Sequence, residues 1–355
     1  MNYQDRKHHP LCSQLLKKLL LCFVAVVSSL LLVELVLQVR HKGTSVDRWA
    51  IPDKRYGFLH RKTFEQQVRY GHTNVTWKVS INSLGFRGPE LDLDTPGVLR
   101  ILLLGDSFTF GYGVEYEQTF GSRLEQNLSE AGISNIVINA GVTGWGTLQA
   151  LLFARDSLDW IKPDIIILTF CENDQIDDEV FLRGGARGLL PAFPGKRWLR
   201  DHSKVYSILY NRLYSQLYKR LFHSESSSHP KVNVPDDSMV KPSSREDQVL
   251  GSSVWWDRTS LSIYDFLAFY TNHFHHGFML IQTAELWKPA QAKHLKIIAE
   301  RDRIRFVDLA EETKGLGQRE LSLDFDPHWN AYTHELSGAR LAREIQALLA
   351  NPPIN

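Results

Sequence analysis

"RILLLGDSFTFGYG", residues 100–113, decides how the chain folds. Leu102, Leu103 and Leu104 form a short, continuous apolar run, the pattern of a strand buried on both faces. Gly105 ends the run, and Asp106 and Ser107 follow at once. In an open α/β sheet, residues just past a strand's carboxyl end stand on the edge that holds ligands. A blander reading makes this a Gly-Asp turn with Ser107 as a capping residue. The aromatics and glycines that follow do not read as a plain helix, so the choice depends on what other strands bring to the same edge.

Strands and helices alternate downstream of residue 98. Strands are expected at 99–104, 135–139, 164–170, 278–283 and 305–307. Helices are expected at 119–130, 146–160, 288–301 and 335–350. The run "DIIILTF" is apolar throughout, as suits a parallel strand covered on both sides. The pattern predicts an α/β protein, a three-layer α/β/α sandwich with a parallel sheet of about five strands. This domain covers 98–350, with an insert at 178–260. Residues 43–97 read as a linker and short strands. There "WKVSINSLGFRG" alternates at Val79, Ile81 and Leu84 and turns at Gly85 and Gly88.

The insert has two parts. Val205, Leu209, Leu213, Leu217 and Leu221 recur every fourth residue beside Tyr206, Tyr210, Tyr214 and Tyr218, which predicts an amphipathic helix. Residues 223–248 are rich in Ser, Pro and charge and are expected to be disordered. Between 181 and 222, Arg183, Arg187, Lys196, Arg197, Arg200, Lys204, Arg212, Lys219 and Arg220 face one acid, Asp201. So basic a segment suits an anionic polymer or an anionic lipid.

The whole chain is nearly neutral, with a formal charge of +1 over 355 residues, which argues against a general nucleic-acid binder. Its 3 cysteines cannot build a disulfide framework, and no spacing suggests a zinc site. No metal and no cofactor is expected. Residues 19–39 hold the run "LLLCFVAVVSSLLLVELVL", whose one charge is Glu34. As a helix it is about 28 Å long, close to the hydrocarbon thickness of a bilayer. Glu34 lies near its end, within reach of the interface. Lys17 and Lys18 precede it, and no small-residue cleavage site follows. An uncleaved single-pass anchor is expected. Basic residues on both sides do not decide its orientation by charge. The signal-anchor pattern favours a cytoplasmic tail at 1–18 and an extracytoplasmic remainder.

Four strand ends now carry chemistry to one edge. Ser107 follows the first strand. "NAGVTGWG" follows the second, with Asn139, Gly141 and Gly144. "CEND" follows the third, with Asn173 and Asp174. "DFDPHWN" follows the last, with Asp324, Asp326 and His328. A serine is a weak nucleophile until an imidazole takes its proton. The imidazole in turn needs a carboxylate to fix its tautomer. A developing oxyanion needs donors already in place, and the amides of Ser107 and Gly141 and the Asn173 side chain are candidates.

"GDSFTFG", "NAGVTG", "CEND" and "DPHWN", in that order, resemble the four blocks of the SGNH (GDSL-type) hydrolases. The resemblance covers about 98–177 and 277–348. It implies the sandwich already expected, Ser107 as nucleophile, His328 as general base, and Gly141 and Asn173 as oxyanion donors. "NSLGFRGPE" resembles the lead-in of membrane-anchored bacterial members. Two positions depart from the pattern. Cys171 stands where the third block begins with Gly, and Phe325 stands where the last block carries Asp. The Asp-x-His-Trp spacing resembles SGNH-like alginate acetyltransferases, which points to Asp326 as the orienting acid with Asp324 as the alternative.

Other conspicuous residues have plainer readings. Asp106 reads as a turn residue, Cys171 as a buried thiol and His334 as a structural residue at the start of the last helix. His273, His275 and His276 precede a strand, on the edge away from the site. Trp145, Trp255, Trp256 and Trp329 read first as packing residues, with a sugar platform as the sharper alternative. The expected function is a membrane-anchored extracytoplasmic serine esterase acting on an ester, such as an O-acyl group on a glycan or lipid. The alternatives are an O-acyltransferase acting on a cell-surface polysaccharide with the same triad, and a non-catalytic glycan- or lipid-binding module.

Overall fold

The computed structural model describes residues 10–40, 48–69, 75–171, 173–182, 195–213 except 207 and 211, 262–270 except 268 and 269, 278–283, 289–309, 312–324 and 326–351. Several sequence expectations lie outside these residues: the insert helix beyond 213, the stretch 223–248, Trp255, Trp256, and the histidines at 273, 275 and 276.

Among the described residues the central sheet has five strands. In chain order, after four short strands given below, they are β5 (Leu99–Leu104), β6 (Asn135–Asn139), β7 (Ile165–Phe170), β8 (Phe278–Thr283) and β9 (Arg305–Val307). Their spatial order is β6-β5-β7-β8-β9 and every pairing is parallel. The chain starts at β5, steps outward to β6, then returns past β5 and runs to the far edge. Its direction of winding therefore reverses between β5 and β7. Such a reversal opens a crevice at the carboxyl ends of the strands.

The apolar alternation divides β5, β6 and β7 between two cores. Leu102, Leu104, Ile138, Ile166 and Leu168 pack with Ala150, Ala154 and Leu158 of the helix Thr147–Ile161 and with Leu295 and Ala299 of the helix Pro289–Arg301. Ile101, Leu103, Val137, Ile165 and Ile167 pack on the opposite face, against Phe120, Leu124 and Leu128 of the helix Phe120–Glu130 and Leu341 and Ile345 of the last helix. Every one of these side chains is fully buried or nearly so. Each contributes about 1.5–3 kcal/mol relative to exposure when it is a large aliphatic or aromatic. The last helix spans Ala331–Ala350, a turn earlier than the expected 335. The cause is Asn330, whose side chain accepts the Thr333 N–H at 3.0 Å and so caps the helix there.

Residues 48–69 and 75–97 form two antiparallel hairpins, β1 (Ala50–Asp53) with β2 (Gly57–His60), and β3 (Phe64–Arg69) with β4 (Thr76–Ile81). Trp49, Val68, Trp77, Val79 and Ile81 make a third buried cluster, which Phe110 joins. Arg87 bridges Ile81 and Asn139, so this segment also covers the outer edge of β6.

The N-terminal helix runs Pro10–Arg40, and its Lys17–Val39 stretch is long and apolar enough to cross a membrane, with none of it buried in the protein. Residues 204–206, 208–210 and 212–213 of the insert are helical.

Candidate active site

The edge expected to carry the chemistry begins where β5 stops. Gly105 has φ +148°, and a Cβ there would lie 2.8 Å from the Thr169 carbonyl, so the close turn between β5 and β7 requires glycine. One helical turn, Ser107–Phe110, follows. Its cap is Asp106, whose Oδ1 accepts the Phe108 N–H at 2.9 Å. The capping role considered for Ser107 thus belongs to its neighbour, because the Asp106 side chain already holds the free helical amide. Gly111 closes the turn in the left-handed region at φ +79°.

The aromatics after Ser107 have separate tasks. The Phe108 and Tyr112 rings each lie 4.9 Å from the His328 ring, Phe108 from within the turn and Tyr112 from just after it. Phe110 points into the third core, under the Arg87 guanidinium at 4.6 Å and stacked on Trp49 at 5.7 Å. The glycines bend the chain so that alternate aromatics serve the site and the core.

His328 sits on a short strand, Asp326–Trp329, paired antiparallel with Ser322–Leu323. Trp329 is completely buried against Phe108 and Phe120 and fixes this strand to the domain. His328 Nε2 is 2.7 Å from Ser107 Oγ. His328 Nδ1 makes a short hydrogen bond to the Asp326 carboxylate, which also accepts the His328 backbone N–H at 3.0 Å. The carboxylate fixes Nδ1 as the donor, which leaves Nε2 to accept the Ser107 hydroxyl proton. Asp324 is exposed, in the bend before this strand. The geometry therefore joins Asp326, and not Asp324, to His328 and Ser107.

The expected oxyanion donors lie against the same helical turn. The Gly141 N–H donates to Asn139 Oδ1 at 3.1 Å, and Asn139 Nδ2 donates to the Thr109 carbonyl at 2.8 Å. A Cβ on Gly141 would lie 2.7 Å from both Thr109 C and Thr109 Cβ, so only glycine lets this loop approach so closely. Asn173 Nδ2 donates to Asp177 Oδ2 at 2.7 Å and, over a longer 3.3 Å, to Asp106 Oδ2. Both donors are thus held by internal acceptors. The amide of Asn173 keeps its long bond to Asp106 as the one most easily exchanged.

A group of buried acids supports this arrangement. Burial pushes the Asp106 carboxyl up, against the Phe108 N–H and the nearby His328, which pull it down. Burial raises Asp177 to about 7, although its bond from Asn173 opposes this. Asp174 is raised well above its ordinary value, first by burial and then by Asp106 and Asp178. Asp174 accepts the Thr147 hydroxyl at 2.7 Å and Asp178 accepts the Leu148 N–H at 2.8 Å, so both tie the third strand's loop to the start of a core helix. Sequence reasoning missed Asp177. Its signal is the Asn173-x-x-x-Asp177 spacing, which puts both on one side of a helical turn.

The blander residues take structural places. Cys171 is a buried thiol beside the Asp106 carboxyl. His334 is buried and accepts the Phe120 N–H at 3.1 Å. Trp145 and Trp329 are buried and offer no platform to a sugar. Among the described residues, no group of three or more His, Cys, Asp or Glu is arranged to hold a metal ion.

An arylesterase of Vibrio mimicus is 31% identical over 110 residues, which is 31% of this chain and 48% of the relative. The alignment thus spans about half of that relative's length. Two solved structures were also similar. The family 3 carbohydrate esterase of Clostridium thermocellum has 13% identity and a TM-score of 0.41, covering 71% of this chain and 98% of its own. The psychrotrophic esterase EstA from Pseudoalteromonas sp. has 13% identity and a TM-score of 0.41, covering 71% of this chain and 99% of its own. The family model for GDSL-like lipases and acylhydrolases matches residues 103–336, more than half of the chain and all four strand ends that build the site. That match places the chain in the GDSL-like lipase/acylhydrolase family.

Proposed function

We propose that this protein is a serine esterase that works through an acyl-serine intermediate. The observation that carries the reading is the unbroken hydrogen-bonded series from Ser107 Oγ through the His328 ring to Asp326. Ser107 Oγ attacks the ester carbonyl as its proton passes to His328 Nε2. Asp326 holds the Nδ1 proton and stabilises the imidazolium. The tetrahedral oxyanion accepts from the Ser107 amide, from the Gly141 amide, which gives up its bond to Asn139 Oδ1, and from Asn173 Nδ2, which exchanges its long bond to Asp106. Each such donor contributes on the order of 3 kcal/mol in the transition state. The protonated His328 then delivers its proton to the leaving alcohol. Water, deprotonated by His328 in turn, releases the acid and restores Ser107.

The N-terminal helix holds the enzyme in a membrane, with residues 1–18 cytoplasmic and the hydrolase domain on the extracytoplasmic side. The ester is an O-acyl group on a glycan or lipid presented near that surface. The length and apolarity of Lys17–Val39, none of it buried in the protein, support the anchor. Ser107→Ala tests the chemistry. Its kcat on short p-nitrophenyl esters is expected to fall by about 10⁴-fold or more, and equal rates would remove the mechanism. Adding oligosaccharide acceptors to the same assay separates hydrolysis from acyl transfer by whether the acid or a new ester accumulates.

A further inference from the structure

The apolar N-terminal helix contains one acid, Glu34, and the structure gives it partners far away in sequence. Its carboxylate accepts the Lys204 N–H at 2.7 Å, the Val205 N–H at 3.0 Å and the Ser203 hydroxyl at 2.9 Å. Gln38 Nε2, one turn on, donates to it at 2.8 Å and also reaches the His202 carbonyl at 3.3 Å. A lone acid near lipid is costly unless it is paired. Here it caps the helical residues of the insert that begin at 204, where free amides and the helix dipole favour a negative charge. The insert is therefore fastened to the membrane-spanning candidate.

The depth of that contact is informative. Glu34 precedes Val39, the end of the apolar span, by five residues. That is about 8 Å along the helix axis, within the roughly 5–10 Å to which interfacial helices sink their apolar face. Beyond the cap, Ile208, Leu209 and Leu213 are 45%, 54% and 51% exposed. With Arg212, also exposed, they lie on one side of the helical turns. Trp198, on the preceding helix Lys196–His202, is 61% exposed. That helix is tied to the next turns by Lys196, whose ammonium lies 5.0 Å over the Tyr210 ring. Lys196, Arg197, Arg200, Lys204 and Arg212 supply the charge.

We infer that Lys196–Leu213 is a membrane-surface strap, seated on the anionic phospholipid headgroups of the leaflet from which the N-terminal helix emerges. Trp198, Ile208, Leu209 and Leu213 enter the acyl boundary, and the segment's positive charge is drawn to headgroup phosphates. A soluble anionic polymer would satisfy the charges but leave the four apolar side chains in water. A bilayer takes both. The strap rests on the reading of the N-terminal helix as an uncleaved anchor.

The test uses the full chain in vesicles, with Cys12 and Cys22 replaced by Ser and buried Cys171 left in place. Single spin labels go on Leu209→Cys, on Val27→Cys within the apolar helix, and on Glu130→Cys as a surface reference. Collision with oxygen and with a water-soluble nickel chelate reports the depth of each. The strap predicts a lipid-like label at 209 in phosphatidylcholine vesicles containing phosphatidylglycerol, a shift toward water in phosphatidylcholine alone, and loss of the lipid signal in Glu34→Ala. A label at 209 that is aqueous in both vesicles, or indifferent to phosphatidylglycerol, while 27 reads as lipid overturns the strap and leaves the anchor. An aqueous label at 27 overturns the anchor, and the strap falls with it.

Discussion

Asp326→Asn keeps a hydrogen-bonding side chain beside His328 but can present its N–H₂ to the ring and select the wrong tautomer. A kcat loss of about 10⁴-fold is expected, with little change in KM. Asp324→Asn is expected to leave both parameters within about twofold, since surface substitutions rarely matter. Steady-state kinetics on one chromogenic ester compares the two, and the reverse order would exchange their roles. Strand parity could not separate them, because residues 324, 326 and 328 alternate together; only the resemblance of the Asp-x-His-Trp spacing favoured Asp326. Pairing does separate them: Leu323 faces Asp326 across the hairpin, so 324 falls in the bend and 326 on the strand. Asp177 gives a pH signature. Burial raises its pKa from 3.8 to about 7, so the unfolded chain releases that proton first. Its contribution to stability is complete below 3.8 and is lost as pH rises through about 7. The denaturant midpoint of the wild type is expected to fall across that window relative to Asp177→Asn, and a rise would contradict the assignment.

The Ser107–Phe110 turn and the Gly141 loop act together at the scale of elements. Gly141→Ala places a methyl group against Thr109 and the Phe110 amide, contacts the backbone cannot yield without moving the nucleophile's turn. A loss of about 1–3 kcal/mol in stability is expected from the overpacking. A fall in kcat larger than the loss of folded protein should accompany it. Normal kcat in a folded variant would show that the loop does not set the nucleophile. The five sheet strands were legible because each carries a short apolar run with polar or turn-forming residues within two positions of its end. The Ser107–Phe110 turn and the hairpin carrying His328 were not, since four residues show no periodicity. Their positions follow from the Asp106 cap and from burial of Trp329, which only the folded chain reveals.

For the molecule as a whole, none of the three buried clusters among the described residues contains a residue of the N-terminal helix. A chain of residues 44–355 is therefore expected to fold and to hydrolyse soluble esters at a rate within about threefold of the full chain, because removal of surface contacts rarely unfolds a domain. It should also associate more readily, with Ile208, Leu209 and Leu213 left in water. Light scattering and kinetics on the two chains check both statements. The apolar helix was legible from composition alone. Its junction with the insert was not, because Glu34 meets residues 203–205 only through the fold. The direct measurement of the central claim is labelling with a fluorophosphonate, located by mass spectrometry in wild type, Ser107→Ala and His328→Ala. A single adduct on Ser107 that disappears in both variants is the predicted result, and a folded wild-type protein that takes no adduct, or takes it elsewhere, would contradict the account.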